Sequence, residues 1–380
     1  MKIGIVCYPT YGGSGVVATE LGKALAKNGN EIHFITYSQP TRLDFFSENL
    51  FYHEVAIKDY PLFDYPPYEL ALASKMVDVV EHEKLDVLHV HYAIPHASAA
   101  HMAKQILAEK GIAIPFVTTL HGTDITLVGK DSTYAPVVTF SINMSDAVTA
   151  VSQDLKKETL DFFGVRKEIH VIPNFVDMDR FKKQKKEHFK KAICPNDEKL
   201  LVHISNFRKV KRVKDVIEVF SKVRQVVPSK LMMVGDGPER TSAEEMCRQL
   251  GTCDDVRFLG KLEQIEEVLS VADLFYMTSE KESFGLAALE AMACEVPVIS
   301  TKAGGLPELN IDGVSGYLCD VGETADMAAK SIHILDDRNL NAFKKGALGR
   351  AKEFDMNNIR PMYEELYQHV IEEAKTAIAL

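Results

Sequence analysis

The feature that most constrains this chain is an alternation of short β-rich runs with helical patterns that starts, stops and starts again. In the first series, residues 2–8 (KIGIVCY), 31–37 (EIHFITY), 86–92 (DVLHVHY), 115–121 (PFVTTLH) and 146–152 (DAVTAVS) read as strands. Helix patterns lie between them at 15–28, 69–84 and 96–109. The strand runs are apolar almost throughout, as in a parallel sheet covered by helices on both faces. Such βαβα alternation predicts an α/β doubly wound fold. A second series follows at 199–206, 230–237, 256–260, 273–279 and 296–301, with helix patterns at 213–227, 239–250, 262–271 and 285–293. Two units of this kind account for 380 residues, about twice a common domain.

The charged stretch 181–199 (FKKQKKEHFKKAICPNDEK) separates the series and reads as a solvated linker or surface helix. Pro-Asn punctuation within VIPNFVD (171–177) marks a hinge. The last helical pattern, with apolar Met362, Leu366, Tyr367, Val370 and Ile371, could return over the first unit or cap the second.

Charge and cysteine usage remove several function classes. Acidic residues outnumber basic ones by 54 to 44, a net charge of −10, which is the wrong sign for sequence-independent nucleic-acid binding. The six cysteines are scattered without a CxxC, so neither a zinc nor a disulfide framework is expected and a reducing compartment fits. A strand pattern follows Met1 directly, and no apolar run approaches the ~20 residues of a membrane span. A cytoplasmic protein without membrane contact is expected.

Candidate chemistry gathers at the ends of predicted strands, where open α/β sheets bind ligands. After the first strand, Gly13-Ser14-Gly15-Val16-Val17-Ala18 matches GxGxxA and opens a helix whose free N–H groups attract anions. The second strand ends ITYSQPT without the acidic residue that would hold a dinucleotide ribose, so nicotinamide binding is set aside. His91, Tyr92 and His96 (HVHYAIPH) and His121, Gly122, Thr123 and Asp124 (LHGTD) end two further strands. In the second series, Arg208, Lys209, Lys211, Arg212 and Lys214 form a cationic strand–helix junction able to neutralise a diphosphate. VGDGPE (234–239), LGKLEQ (259–264) and ESFGLAALE (282–290) would share that rim. Fully helical spacing would set Glu282 and Glu290 roughly 12 Å apart. That is too far for an acid–base dyad and suited to gripping both ends of a ligand with an anionic centre.

ESFGLAALEAMACEVPVIST followed by AGGLPE, with GGSG, LHGTD, SNFRKVKR, VGDGPE and the final long helix in order, resembles the retaining glycosyltransferases of family four. The resemblance covers essentially the whole chain and implies the GT-B fold: two Rossmann-like domains facing across a cleft, here 1–172 plus 363–380 and 173–362. YPPYELALASK, VHYAIPHA and TTLHGTDITLVG narrow it to the bacillithiol-pathway members, which transfer N-acetylglucosamine from UDP-N-acetylglucosamine to the hydroxyl of L-malate with retention. It implies that Glu282 holds the donor sugar with the amides of Phe284, Gly285 and Leu286, that Glu290 takes the ribose, and that Arg208 with Lys211 or Arg212 holds the diphosphate. Gly13, Ser14 and Gly15 would close over the phosphates, and Asn206, Gly235, Leu262 and Ser283 complete the donor-binding set. His121, Tyr92, Ser14, Gly122 and Thr123 would line the acceptor, with His121, Arg208, Lys211 and Glu282 closest to the chemistry. Arg42, Lys58, Lys75 and Lys130 are candidates for the malate carboxylates. No cofactor and no metal is expected, because Arg and Lys take a metal's place at the diphosphate, and a homo-oligomer is possible. An inositol-phosphate acceptor, or nucleotide-sugar binding without transfer, are the alternatives.

Overall fold

A computed structural model of the chain describes all residues except 44–46, 58–64, 128, 130, 185 and 380, and all side chains but those and 127, 187 and 377–379. The chain divides into two units, Met1–Asn174 with Met356–Leu380, and Phe175–Asp355. The first crossing falls inside VIPNFVD and the second at the start of the last helix.

The first unit is a parallel sheet of β1 (Lys2–Val6), β2 (Glu31–Thr36), β3 (Leu50–Glu54), β4 (Val87–His91), β5 (Phe116–Leu120), β6 (Ala147–Ala150) and β7 (Ile169–Val171). Its order is β3-β2-β1-β4-β5-β6-β7. The second unit has β8 (Lys199–Ile204), β9 (Ser229–Val234), β10 (Val256–Gly260), β11 (Leu274–Met277), β12 (Val298–Thr301) and β13 (Gly316–Cys319) in the order β10-β9-β8-β11-β12-β13. Both sheets start in the middle, build outward to one edge, then jump back and build to the other. Right-handed crossovers then lay helices on opposite faces of the two halves. A crevice is left where the direction reverses, outside the C-terminal ends of β1 and β4 and of β8 and β11.

The central strands β4, β5, β6, β11 and β12 are buried along their whole length, which accounts for their continuous apolar runs. Three strands do not stand out in the sequence. β3 (LFYHE) is an edge strand with exposed Phe51 and Tyr52, and β7 and β13 are three and four residues at sheet edges. The stretch 181–199 is not a linker: it lies within the second unit, holds a helix at Glu187–Ile193, and Lys190 Nζ bonds the buried Asp273 carboxylate at 2.6 Å. Asp273 also accepts from the Leu200 amide and from Lys344, and these cations hold its carboxyl below the usual range against burial.

The last helix, Met356–Ala379, packs on the first unit with Ile359, Tyr363, Leu366, Tyr367, Val370 and Ile371 buried, a stripe of helical period. Met362 falls one position off that stripe and is exposed, with Tyr363 facing the core instead. Glu364 accepts from the side chains of Asn28 (2.7 Å) and Asn30 (2.9 Å), tying the helix to the turn after the Gly13–Lys27 helix.

Two glycines fix loops where backbones touch. A Cβ on Gly235 (φ +119°) would sit 1.8 Å from the Ser205 carbonyl oxygen, and one on Gly15 would sit 2.4 Å from the Tyr8 carbonyl oxygen. Gly251, with φ +61° but open space around it, is a control. Gly235→Ala is expected to cost about 3 kcal/mol or more in urea unfolding, combining strain with a backbone clash. Gly251→Ala should cost roughly 1 kcal/mol. Equal effects at the two positions would show that the 235 loop is not clamped.

Candidate active site

In the second unit the loops after β8, β9, β10 and β11 leave one edge of a parallel sheet and are tied to each other. Gly235 N donates to Gly260 O (2.7 Å) and Glu239 N to Phe207 O (2.9 Å). Glu280 N donates to Val210 O (2.9 Å), and the Thr278 hydroxyl to Lys211 O (2.9 Å). Across the reversal point itself, Lys211 Nζ bonds Glu282 Oε2 at 2.5 Å. Both side chains are about one-fifth exposed, so the pair sits at the rim, partly screened from water. Below it, Gly305 N donates to the Glu282 carbonyl, and the left-handed Gly304 leaves no room for a side chain against that carbonyl.

The cationic run divides by partner. Arg212, itself left-handed (φ 48°), forks onto Asp215 at 2.6 and 3.2 Å and lies against Gly322. Lys211 faces Glu282, and Arg208 is exposed and pairs with no carboxylate among the described residues. Asn206 and Leu262 are exposed on neighbouring loops.

Helix Leu286–Ala293 begins one residue later than its sequence pattern, because Gly285 (φ 102°) is the turn into it. A Cβ on Gly285 would strike Leu306 at 2.7 Å. The first amides of this helix have no acceptor within it, and Ser283 is half-buried at its entry. Phe284 is buried and meets Phe354 edge-on at 5.5 Å, which anchors the turn. Glu290 lies one turn into the helix and is 4% exposed, a carboxylate on the buried side of an otherwise apolar helix. Its charge contributes, after burial, to pushing the Cys294 thiol up to about 12.

The first unit is built the same way. Gly12 caps the Gly13–Lys27 helix in extended conformation, and Gly15 lets its first turn press on the loop after β1. Across the reversal between β1 and β4, Tyr92 donates its hydroxyl to Ser14 Oγ at 2.6 Å. Tyr92 is left-handed (φ 87°), held by its amide to Thr119 O (2.9 Å) and by ring contacts to Tyr8 and His121. Gly122 is left-handed and buried, and Thr123 exposed. Asp124, quoted in the LHGTD motif but given no role there, is the buried pin. Its carboxylate accepts from Ala93 N and Gly122 N, both at 3.0 Å, and so joins the turns after β4 and β5. Burial raises it to about 6.

Behind this rim runs a line of buried imidazoles. His89 bonds Thr119 Oγ1 (2.7 Å) and the Tyr367 hydroxyl (2.6 Å), and its ring lies 4.3 Å from that of His91. His91 Nδ1 lies 2.7 Å from His121 Nε2, and His96 Nδ1 donates to the His91 carbonyl. The Nε2 atoms of His91 and His96 are buried without a partner. An orphaned N–H is costlier than a bare ring nitrogen, so His91 carries its proton on Nδ1 and donates to His121. His121 then has its own proton on Nδ1, as a donor.

Of the other basic candidates, Arg42 stands 3.8 Å from Glu20 and Lys75 pairs with Asp78 on its own helix (2.9 Å). Lys58 and Lys130 lie outside the described residues. No helix among the described residues is long and apolar enough to cross a membrane.

Burial, with repulsion from neighbouring imidazoles, lowers His89 and His121 to about 3, and burial lowers His96 to about 4, so all three are neutral near pH 7. The unfolded chain protonates these groups near their ordinary value while the folded one does not. Stability is therefore expected to fall as pH drops below about 6.5. Imidazole resonances of His121 should stay unshifted between roughly pH 8 and 5. A His121 titration near 6.5 would contradict the neutral line.

Comparison with known proteins agrees with this architecture. A model of glycosyltransferase family 4 matches residues 11–180, and one of glycosyl transferases group 1 matches residues 184–347. The chain is 48% identical to N-acetyl-alpha-D-glucosaminyl L-malate synthase of Bacillus anthracis over 378 residues, 99% of this chain and 98% of that one. Among solved structures, sucrose-phosphate synthase from Thermosynechococcus elongatus superposes with a TM-score of 0.80 at 20% identity, covering 98% of this chain and all of that one. Anabaena Alr3699/HepE in complex with UDP and glucose does so with 0.80 at 21%, covering 97% and 100%. With both Rossmann-like units accounted for and a full-length relative near half identity, the chain belongs to the family 4 glycosyltransferases of GT-B fold.

Proposed function

We propose that the protein transfers N-acetylglucosamine from UDP-N-acetylglucosamine to the hydroxyl of L-malate with retention of the α configuration, the first step of bacillithiol formation. The observation that carries this reading is the 48% identity with the Bacillus anthracis synthase, which spans both units.

The second unit is assigned the donor. Arg208 is exposed at the strand-end rim, and Lys211 uses one of its three N–H donors on Glu282, leaving two for a diphosphate. Arg212 is committed to Asp215, so Lys211 is preferred as the second cation. Glu282 retains lone pairs for sugar hydroxyls beside the amides of Phe284, Gly285 and Leu286, and Glu290, set one helical turn further, takes the ribose. The first unit is assigned the acceptor, with Tyr92, Ser14, His121 as an Nδ1–H donor, and the Gly122–Thr123 turn.

Retention through a covalent intermediate would need a carboxylate nucleophile close to a second carboxyl group. Glu282 is instead paired with Lys211, and Glu290 is buried in its helix. The reading is therefore a same-face displacement. The bond from C1 to the diphosphate oxygen breaks, the malate oxygen bonds C1 on that face, and the hydroxyl proton passes to the leaving oxygen. Positioning and neutralisation of the leaving charge by Arg208 and Lys211 supply the rate.

Incubation with UDP-N-acetylglucosamine should release UDP when L-malate is added. Release no greater than in a no-acceptor control, with turnover on inositol phosphate instead, would refute the malate assignment. Glu290→Ala is expected to weaken UDP binding about 10-fold or more, through loss of a charged hydrogen bond. Glu282→Ala should leave UDP affinity within about threefold and lower kcat by roughly 100-fold. Wild-type UDP affinity in Glu290→Ala would remove its ribose role.

A further inference from the structure

Away from both strand-end rims, three metal-ligating side chains converge on the outer part of the first sheet: His33 on β2, His53 on β3 and Glu83 in the last turn of helix Tyr68–Glu83. One ligand atom of each lies within 4.8 Å of the other two. His33 is fully buried, and His53 and Glu83 are half-buried. Parallel register sets Phe51 opposite His33 and His53 opposite Ile35, so the two histidines are diagonal neighbours on one face of the sheet. The helix runs back toward the starts of the strands and delivers Glu83 four residues before β4. The cluster therefore lies off the edge that carries Tyr92 and His121.

The protonation pattern here is set by a further shell. Glu31 Oε1 lies 3.0 Å from His33 Nε2, and Lys2 holds the same carboxylate at 2.7 Å. A carboxylate accepting from Nε2 keeps the His33 proton there and leaves Nδ1 as a lone pair. That lone pair points at His53 Nε2, 2.9 Å away. The His33 ring cannot swing aside, because it stacks on Phe51 at 4.9 Å. Two imidazole nitrogens and a carboxylate around one point form a donor set suited to a first-row divalent cation of the zinc type.

We propose that His33, His53 and Glu83 bind such a cation, with Glu31 orienting His33 and water completing the shell. Seating the ion moves the two nitrogens from 2.9 Å to about 3.3 Å, the edge of a tetrahedron with ~2.0 Å bonds. His53 shifts its proton from Nε2 to Nδ1, so both rings coordinate as neutral groups. The ion would staple β2, the edge strand β3 and the following helix, and it takes no part in sugar transfer.

The test is titration of the chelator-treated full chain with Co²⁺ alone. Visible d–d bands of a low-coordinate ion are expected to saturate at about one equivalent, with a rise in the thermal midpoint. His53→Ala and Glu83→Gln, both at half-buried positions that tolerate change, should each weaken Co²⁺ by about 10-fold or more, and Glu31→Gln by 10–100-fold. Three results would overturn the site. They are a spectrum that remains that of the hydrated ion, unchanged affinity in His53→Ala, or a thiolate charge-transfer band placing the ion on exposed Cys253.

Discussion

Everything functional in this protein depends on a reversal of strand order that happens twice. In each unit the chain lays down three strands toward one edge, then returns to the middle and builds the other way. No helix can cover the gap this leaves at the strand ends, so two loops meet there. Side-chain bonds close each gap: Ser14 to Tyr92 between the loops after β1 and β4, and Lys211 to Glu282 with the Thr278 hydroxyl to Lys211 O between those after β8 and β11. The residues that bridge the two loops therefore fix the shape of each strand-end rim.

Much of this architecture is legible in the sequence, because a strand buried on both faces is apolar at every position and stands out from its neighbours. β4, β5, β11 and β12 are of this kind. Edge strands are not, and β3, β7 and β13 escape notice because half their surface faces water or they are too short to show a pattern. At the site, the carboxylates Glu282 and Glu290 are visible because charge interrupts an apolar run. The different partners of Lys211 and Arg212 are not visible, since they turn on the left-handed backbone at Arg212 that sends its guanidinium to Asp215. The role of Asp124 depends on the turn after β4 arriving alongside, and the cluster of His33, His53 and Glu83 on sheet register. Neither leaves a local signature.

The histidines behind the first rim are buried without any charged partner of their own among the described residues. Among side chains whose charge ordinarily changes near neutrality, imidazole can be taken out of water at modest cost, since it only has to lose a proton it holds weakly. Stacking His89, His91, His96 and His121 near one another raises the penalty for charging any of them, and each then serves as a rigid, neutral hydrogen-bonding spacer. A lysine or carboxylate in the same places would demand a partner for its charge. The line carries orientation from the Tyr367 hydroxyl to His121 without placing a net charge behind that rim.

The helix that supplies Tyr367 belongs to the first unit but is the last part of it to be synthesised. Residues 1–174 emerge from the ribosome with the His89 end of the imidazole line lacking its hydroxyl partner and the faces that receive Tyr363 and Tyr367 uncovered. All of 175–355 must be made before that cover arrives. Domains ordinarily complete themselves in the order in which they leave the ribosome. Here the second unit can finish first, and the first unit must wait in an open form with apolar surface showing. Its vulnerable interval during synthesis is therefore set by the translation time of its neighbour rather than by its own folding rate.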